Sequence, residues 1–341
     1  MSLRETGERG LIEELRRMFE KTGERTLLGI GDDAAVVDAG GRLLVITTDS
    51  FTEWHHFRWD FISPDQTGEK ALNATVSDCA AMGCAPLWVT VSLAAPAETQ
   101  TERIMEIFIG LKRGAERHRC DIVGGDTVAS TSDLVLTLTA VGEPFGERVI
   151  TRSGAGVGDD LFVTGRLGGP MAGLLLLRHE PSLSLEEEFR PSVMRFLAPE
   201  ARVDAARILS RRFPVTSLID VSDGLSVDLH HLARESGVGF HVEKANLPVE
   251  SSIFAIAERL EVPPEVLALH GGEEFELLFT LPPGEEERVV RELREEAGLE
   301  VTRIGTAVPS EEGVLLVDEN GEEEPLPEKG YEHFRERGPE K

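Results

Sequence analysis

Gln66–Ala94 reads QTGEKALNATVSDCAAMGCAPLWVTVSLA, and its two halves follow different periods. From Gln66 to Met82, the positions Ala71, Leu72, Ala74, Thr75, Val76 and Ala80 are small or apolar, and Gly83 closes the run. That spacing predicts a closely packed helix. Leu87–Ala94 is short, apolar and bounded by turn residues, which predicts a strand. A buried helix followed at once by a strand points to α/β layering.

The pattern extends in both directions. Upstream, Gly10–Lys21 has apolar residues at helical spacing, and Leu43–Thr48 reads as a strand stopping at Asp49. Downstream, Glu102–Arg117 reads as a helix, and Asp133–Gly142 alternates as a half-buried strand does. Pro144–Asp160 is rich in glycine and turn residues and is expected to join two domains, 1–145 and 146–341. Strands are then expected at Leu161–Thr164, Ser217–Val221, Phe240–Glu243, Glu273–Thr280, Val301–Thr306 and Val314–Val317. Helices are expected at Pro170–Leu177, Pro199–Arg211, Leu225–Glu235 and Glu285–Glu296. The fold class is therefore α/β (α+β) in two domains.

The chain has 341 residues, 62 acidic against 35 basic, for a formal net charge of −27. Such an excess argues against a nucleic-acid or anionic-membrane surface, where phosphates must be met by clustered Lys and Arg. Cys79, Cys84 and Cys120 form no CxxC pair, which fits a reducing compartment better than a disulfide framework. The charged start lacks a signal-peptide core, and no apolar run approaches the ~20 residues of a membrane span. These features lead to the expectation of a cytoplasmic protein.

Chemistry is concentrated in aspartates beside glycines or at the ends of apolar runs. They are Gly31-Asp32-Asp33, Thr47-Thr48-Asp49, Ser77-Asp78, Gly124-Gly125-Asp126-Thr127 and Asp220-Val221-Ser222-Asp223-Gly224. Singly, each reads as a turn or a helix cap; Asp220–Asp223 could simply cap a helix from Leu225. Their repetition shifts the balance toward a shared site. Hard oxygen donors suit Mg²⁺ bridging carboxylates to substrate phosphates. No His or Cys set has zinc spacing, no GxxxxGK[ST] loop or GxSxG elbow is present, and the kinase HRD and DFG elements are missing. Gly165-Arg166-Leu167-Gly168-Gly169-Pro170 lacks the dinucleotide-loop spacing, and Gly154–Gly158 reads as a linker turn.

Taken in order, GIGDDAAVV (Gly29–Val37), TTD (Thr47–Asp49), NATVSDCAAMGCAP (Asn73–Pro86), GGDT (Gly124–Thr127), TRSGAGVGD (Thr151–Asp159), DVSDGL (Asp220–Leu225), GGEEFEL (Gly271–Leu277) and GYEHF (Gly330–Phe334) carry a resemblance. Over nearly its whole length the chain resembles the thiamine-monophosphate kinase family, within the aminoimidazole ribonucleotide synthetase and selenophosphate synthetase-like superfamily. The resemblance implies an N-terminal α/β domain whose sheet pairs with a partner's into a barrel across a homodimer, followed by a C-terminal α/β domain. It implies ATP-dependent phosphorylation of thiamine monophosphate to thiamine diphosphate, with several Mg²⁺ ions. It further implies Mg²⁺ ligands at Asp33, Thr47, Thr48, Asp49, Asp78, Asp126, Asp220 and Asp223, with Asp49, Asp78, Asp126 and Asp223 carrying the catalytic metal cage. ATP contacts are implied at Gly125, Asp126, Arg152 and Ser222, and contacts to thiamine phosphate at His56, Glu273 and Tyr331. The family's usual GGEDYEL is GGEEFEL here, so Glu274 and Phe275 replace an Asp and a Tyr, and a pocket-wall hydroxyl is expected to be missing. Two alternatives stand beside this reading. One is a sister synthetase, although no cysteine precedes Cys79 as selenide chemistry would need; the other is an inactive nucleotide-binding protein, although every acidic motif is intact.

Overall fold

Residues 2–20 and 23–334 are described by a computed structural model. The first run of alternating pattern builds one sheet. Helix α1 (Leu3–Met18) opens on a Ser2–Glu5 capping box and kinks at Gly7, whose φ is 71°. Strands β1 (Thr26–Leu28), β2 (Ala35–Asp38) and β3 (Leu43–Thr52) lead to α2 (Pro64–Ala81). Then come β4 (Cys84–Pro96), α3 (Thr101–His118), β5 (Asp121–Ser130) and β6 (Val135–Pro144). The sheet order is β1-β2-β3-β6-β4-β5, and only the β4–β5 pair, joined through α3, is parallel.

The second run builds the other sheet. It contains β7 (Asp160–Thr164), α4 (Gly169–His179), α5 (Arg190–Leu197), α6 (Val203–Arg212), β8 (Ser217–Asp220) and α7 (Leu225–Ser236). These are followed by β9 (Val238–Glu243), α8 (Ser252–Leu260), α9 (Pro264–His270), β10 (Leu277–Leu281) and α10 (Glu286–Ala297). β11 (Val301–Pro309), β12 (Val314–Val317) and β13 (Glu323–Pro325) complete it, in the order β13-β12-β9-β11-β7-β10-β8. Among the described residues no helix is long and apolar enough to cross a membrane.

Helix α2 is the pivot of the molecule. It starts sharply, with Ser63 as cap, Pro64 in the first turn and Gln66 closing a capping box. It lies against β3, β4 and β6 on one side and against β8, α5 and α6 on the other. Enclosure by both sheets explains its small side chains: Thr67 to Ser77 are buried throughout. Against α3 the approach is closer still. A Cβ on Gly68 would stand 2.0 Å from the Ile107 carbonyl oxygen, and one on Gly110 1.8 Å from that of Asp65. Glycine at both positions is a packing requirement.

Period-two alternation assigns the faces of the first sheet. Val45, Thr47, Asp49 and Phe51 of β3 point toward α2 with Val91 and Leu138, while Ile46, Thr48 and Ser50 point away. The strand does not stop at Asp49; it continues to Thr52, so Asp49 sits mid-strand on the inner face. Gly124–Thr127 lie within β5, an edge strand exposed along nearly its whole length. In the second half, α8 and α9 are divided by Val262-Pro263-Pro264, which breaks the helical period that sequence reading relies on.

One buried polar link between α2 and α3 makes a pH prediction. Asn73 donates from Nδ2 to the Pro199 carbonyl at 2.8 Å, which leaves its Oδ1 to accept from His118 Nε2 at 2.6 Å. Burial, with Arg117 next, pushes His118 down to about 4. A base depressed in the folded state contributes stability above its unfolded value near 6.5 and loses it as the pH falls toward 4. Between pH 7 and pH 5, the parent should therefore lose about 1–2 kcal/mol more unfolding free energy than His118→Gln in urea melts.

Candidate active site

Four chain segments that are distant in sequence deliver carboxylates to the junction between the sheets. Asp78 comes from the last turn of α2, Asp49 from the inner face of β3, Asp33 from the turn after β1, and Asp220 from the end of β8. Carboxylate oxygens of Asp33, Asp78 and Asp220 all lie within 4.8 Å of one another. The Thr47 hydroxyl donates to Asp78, and the Ser77 hydroxyl donates to Asp220 at 2.5 Å. Arg152, in the linker between the sheets, donates to Asp33 Oδ1 at 2.5 Å.

So many buried anions are mutually unfavourable, and their protonation shows it. Burial, followed by the charge of Asp33, pushes Asp220 up to about 7. Burial pushes Asp49 to about 6, and burial plus Asp49, Asp220 and Asp33 holds Asp78 well above the usual carboxylate range. Among the described residues, Asp33 Oδ2 is buried with no hydrogen-bond partner. An orphaned oxygen among converging hard donors is what a divalent cation would satisfy, so Asp33, Asp78 and Asp220, with Asp49 beside them, are the residues able to hold one.

A second wall is the turn after β8. Backbone N–H groups of Ser222, Asp223 and Gly224 all donate to Asp228 Oδ2, at 3.1, 3.2 and 3.1 Å. Asp228 sits in the first turn of α7, so one buried carboxylate fixes the whole turn. Burial, then Glu8 of α1, pushes Asp223 up to about 6. Asp32 plays a similar part for the other turn, accepting from the N–H groups of Asp33 at 2.9 Å and Arg152 at 3.2 Å.

The third wall gathers His56, Glu273 and Tyr331. The Thr52 N–H donates to His56 Nδ1 at 3.1 Å, which leaves the ring proton on Nε2. Burial, then His333 and Lys70, holds His56 down to about 4, so the ring is neutral. His56 lies 5.4 Å from His333, whose Nδ1 is 3.0 Å from the Tyr331 hydroxyl. The Tyr331 N–H in turn donates to the Asp223 carbonyl at 3.0 Å, tying this wall to the second. Glu273 holds an unusual left-handed backbone, φ 64°, and its N–H donates to the Ser222 carbonyl at 2.7 Å.

Several expected residues stand elsewhere. Thr48 alternates to the outer face, where its hydroxyl donates to the Leu138 carbonyl at 3.1 Å; its side chain is not in the cluster. Gly125 and Asp126 lie on the exposed edge strand, with Asp126 paired to Ser92 on the outward register, on the opposite face from Asp49. Within one chain they do not join the carboxylates. Arg152, by contrast, stands at the cluster, with its guanidinium on Asp33 and beside Asp32. Phe275 is buried among the core residues. Glu274 is buried too, accepting from the Gly168 N–H and from Arg195. Sequence reading missed Asp228 and Lys70. An acidic residue in the first turn after DVSDG was the available signal for the first; a lysine inside an otherwise closed helix was the signal for the second.

Two α/β sheets meeting on a shared carboxylate junction place the chain in a known class. The family described as AIR synthase related protein, N-terminal domain, matches residues 31–143, and its C-terminal domain counterpart matches 156–318. Among curated relatives, thiamine-monophosphate kinase of Aquifex aeolicus is 34% identical, covering 98% of this chain and 100% of its own length. The enzyme of the same name from Bacillus subtilis is 35% identical over 90% of this chain and 94% of its own. A solved structure described as AaThiL complexed with AMPPCP and TMP superposes with a TM-score of 0.83 at 34% identity, covering 98% of this chain and 99% of that one. The chain belongs to the thiamine-monophosphate kinase family.

The crowding of charge has a measurable consequence. In EDTA, Asp78→Asn removes one member of the repelling group while keeping an acceptor for Thr47. It should therefore raise the unfolding free energy of the metal-free protein by about 1–3 kcal/mol at pH 7.5, read by thermal or urea melts. A loss of stability would show that the carboxylates do not oppose one another.

Proposed function

We propose that this chain transfers the γ-phosphoryl group of ATP to the phosphate of thiamine monophosphate, giving thiamine diphosphate and ADP, the last step of thiamine diphosphate formation. The observation that carries this reading is the convergence of Asp33, Asp78 and Asp220 from three separate segments onto one point. The relatives' shared name, and the AMPPCP and TMP in the solved relative, support it.

The chemistry follows from the anionic nature of both reactants. The attacking group is a phosphate oxygen that already bears charge, so no strong general base is required. The difficulty is repulsion between two polyanions in one cleft. Asp33, Asp49, Asp78 and Asp220 would hold magnesium, which would supply charge neutralisation and Lewis-acid polarisation of the transferring group. The chain's own residues do the rest. Thr47 and Ser77 orient Asp78 and Asp220 through their hydroxyls. Arg152 keeps Asp33 in place and supplies a guanidinium inside the cluster. Asp228 fixes the turn that presents Ser222 and Asp223 to the nucleotide side. His56, neutral and with Nε2–H to offer, joins Glu273 and Tyr331 in holding the acceptor's organic part.

Gly125 and Asp126 fit the same reading in a homodimer. β5 is an unpaired edge carrying Val123 and Val128 at 58% and 48% exposure, and Trp88 and Ile46 extend the apolar outer face. A long exposed apolar edge is a pairing surface. Sheet pairing there would cover these side chains and bring Asp126 of one protomer toward the other's site. Light scattering should report a dimer, and Val128→Arg should yield monomer with activity reduced at least tenfold.

Purified protein with Mg²⁺, ATP and thiamine monophosphate should produce thiamine diphosphate and ADP in equal amounts by chromatography. Asp78→Asn and Asp220→Asn should each lower kcat by about 100-fold or more, the scale of lost electrostatic stabilisation at a reacting group. Turnover near that of the parent in both variants would remove the proposal.

A further inference from the structure

Lys70 is the one lysine of α2, and its side chain is 1% exposed. Burying an ammonium costs several kcal/mol unless it is paired. Here Nζ stands 2.9 Å from one oxygen of Glu273 and 3.0 Å from the other. It also lies 3.6 Å from the centre of the Phe196 ring, whose π-face attracts a cation. The pair is lopsided. Lys70 is enclosed, whereas the Glu273 side chain keeps 27% of its surface exposed. A carboxylate offers about four lone-pair directions, so two contacts from Lys70 leave others turned toward the opening.

Position along α2 adds a second argument. Lys70 and Ser77 are seven residues apart and so share a face, separated by about 10 Å along the axis. Ser77 binds Asp220 at the carboxylate cluster; Lys70 binds Glu273 at the far wall. One rigid helix therefore sets the distance between the phosphoryl-transfer end and the opposite end of the cleft. Glu273 needs such a hold, because it sits on a left-handed, non-glycine backbone in the loop before β10.

We propose that Lys70 is a specificity-determining positioning residue: from behind, it aims the Glu273 carboxylate at the cationic, amine-bearing head of the acceptor. This rests on the reading of Glu273 as an acceptor-binding residue. Lys70 itself never touches the acceptor, and it acts only through its partner.

Steady-state kinetics on four proteins tests this: the parent, Lys70→Met, Glu273→Gln and the double variant. Lys70→Met should raise KM for thiamine monophosphate about 10-fold, leaving kcat and KM for Mg-ATP within about 3-fold. In the Glu273→Gln background the same substitution should add less than about 3-fold, because the path through Glu273 is already cut. Effects that simply multiply, or a fall in kcat with KM unchanged, would overturn the assignment. A raised KM in Glu273→Gln beside an unchanged one in Lys70→Met would overturn it alone. An unchanged KM in Glu273→Gln would remove the acceptor-site reading and this inference together. If Lys70→Met does not fold, Lys70→Gln, which keeps an uncharged donor on a stem one bond shorter, takes its place with an expected rise of about 3- to 10-fold.

Discussion

Repulsion between buried carboxylates is the constraint around which this molecule is organised. Asp33, Asp78 and Asp220 place oxygens within 4.8 Å of one another, with Asp49 alongside, and among the described residues Arg152 brings positive charge into the group. Such an arrangement is unfavourable in an empty site and persists because the surrounding fold over-determines it. α2 is locked by caps, by glycine contacts with α3 and by enclosure between two sheets. The turns bearing Asp33 and Asp223 are each held by a further buried carboxylate, Asp32 and Asp228, accepting backbone N–H groups. Stability is spent to keep the charges together, and cation binding is the natural return.

The segment Gly271–Leu277 shows how one short stretch divides its labour. Glu273 faces the cleft, whereas Glu274 and Glu276 point into the second half of the molecule, where both are fully buried. Glu276 is met by Arg202 at 2.7 and 2.8 Å, by Arg195 at 2.8 Å and by the Thr164 hydroxyl at 2.6 Å. Burial would raise its pKa, but Arg202 and Arg195 together hold it below the usual value. Among the described residues Glu274 is met by Arg195 and the Gly168 N–H, and burial pushes it up to about 8. These ion pairs anchor the strand end from which Glu273 projects. Acidic residues adjacent in sequence thus stand in opposite settings, one part-exposed beside Lys70 and two enclosed in the scaffold.

Much of this was legible in the sequence. The helix at Gln66–Met82, the strand at Ser217–Val221 and the α/β class followed from period and punctuation, because burial on two sides leaves a plain record in small apolar residues. Asp33, Asp78 and Asp220 stood beside glycine or at element ends, where ligand-bearing residues collect. Less was legible where the decisive fact is which way a side chain points. Thr47 and Thr48 are identical in type, yet strand alternation sends one to the cluster and the other to the outer face. Asp126 carries the same Gly-Gly-Asp signature as a phosphate turn, but it lies in an edge strand, and an edge is defined by strand order rather than local composition. Asp228 and Lys70 left only faint signals for a related reason: each acts through a partner brought near by the chain's return.

A set of carboxylates able to hold a cation should do so even before nucleotide arrives. Manganese, a hard paramagnetic ion suited to oxygen ligands, reports on it directly. In a Mn²⁺ titration of the nucleotide-free protein followed by electron paramagnetic resonance, the free-ion signal should be quenched by the parent. Quenching should be weakened at least tenfold in both Asp33→Asn and Asp220→Asn. Equal quenching by parent and variants would contradict the account.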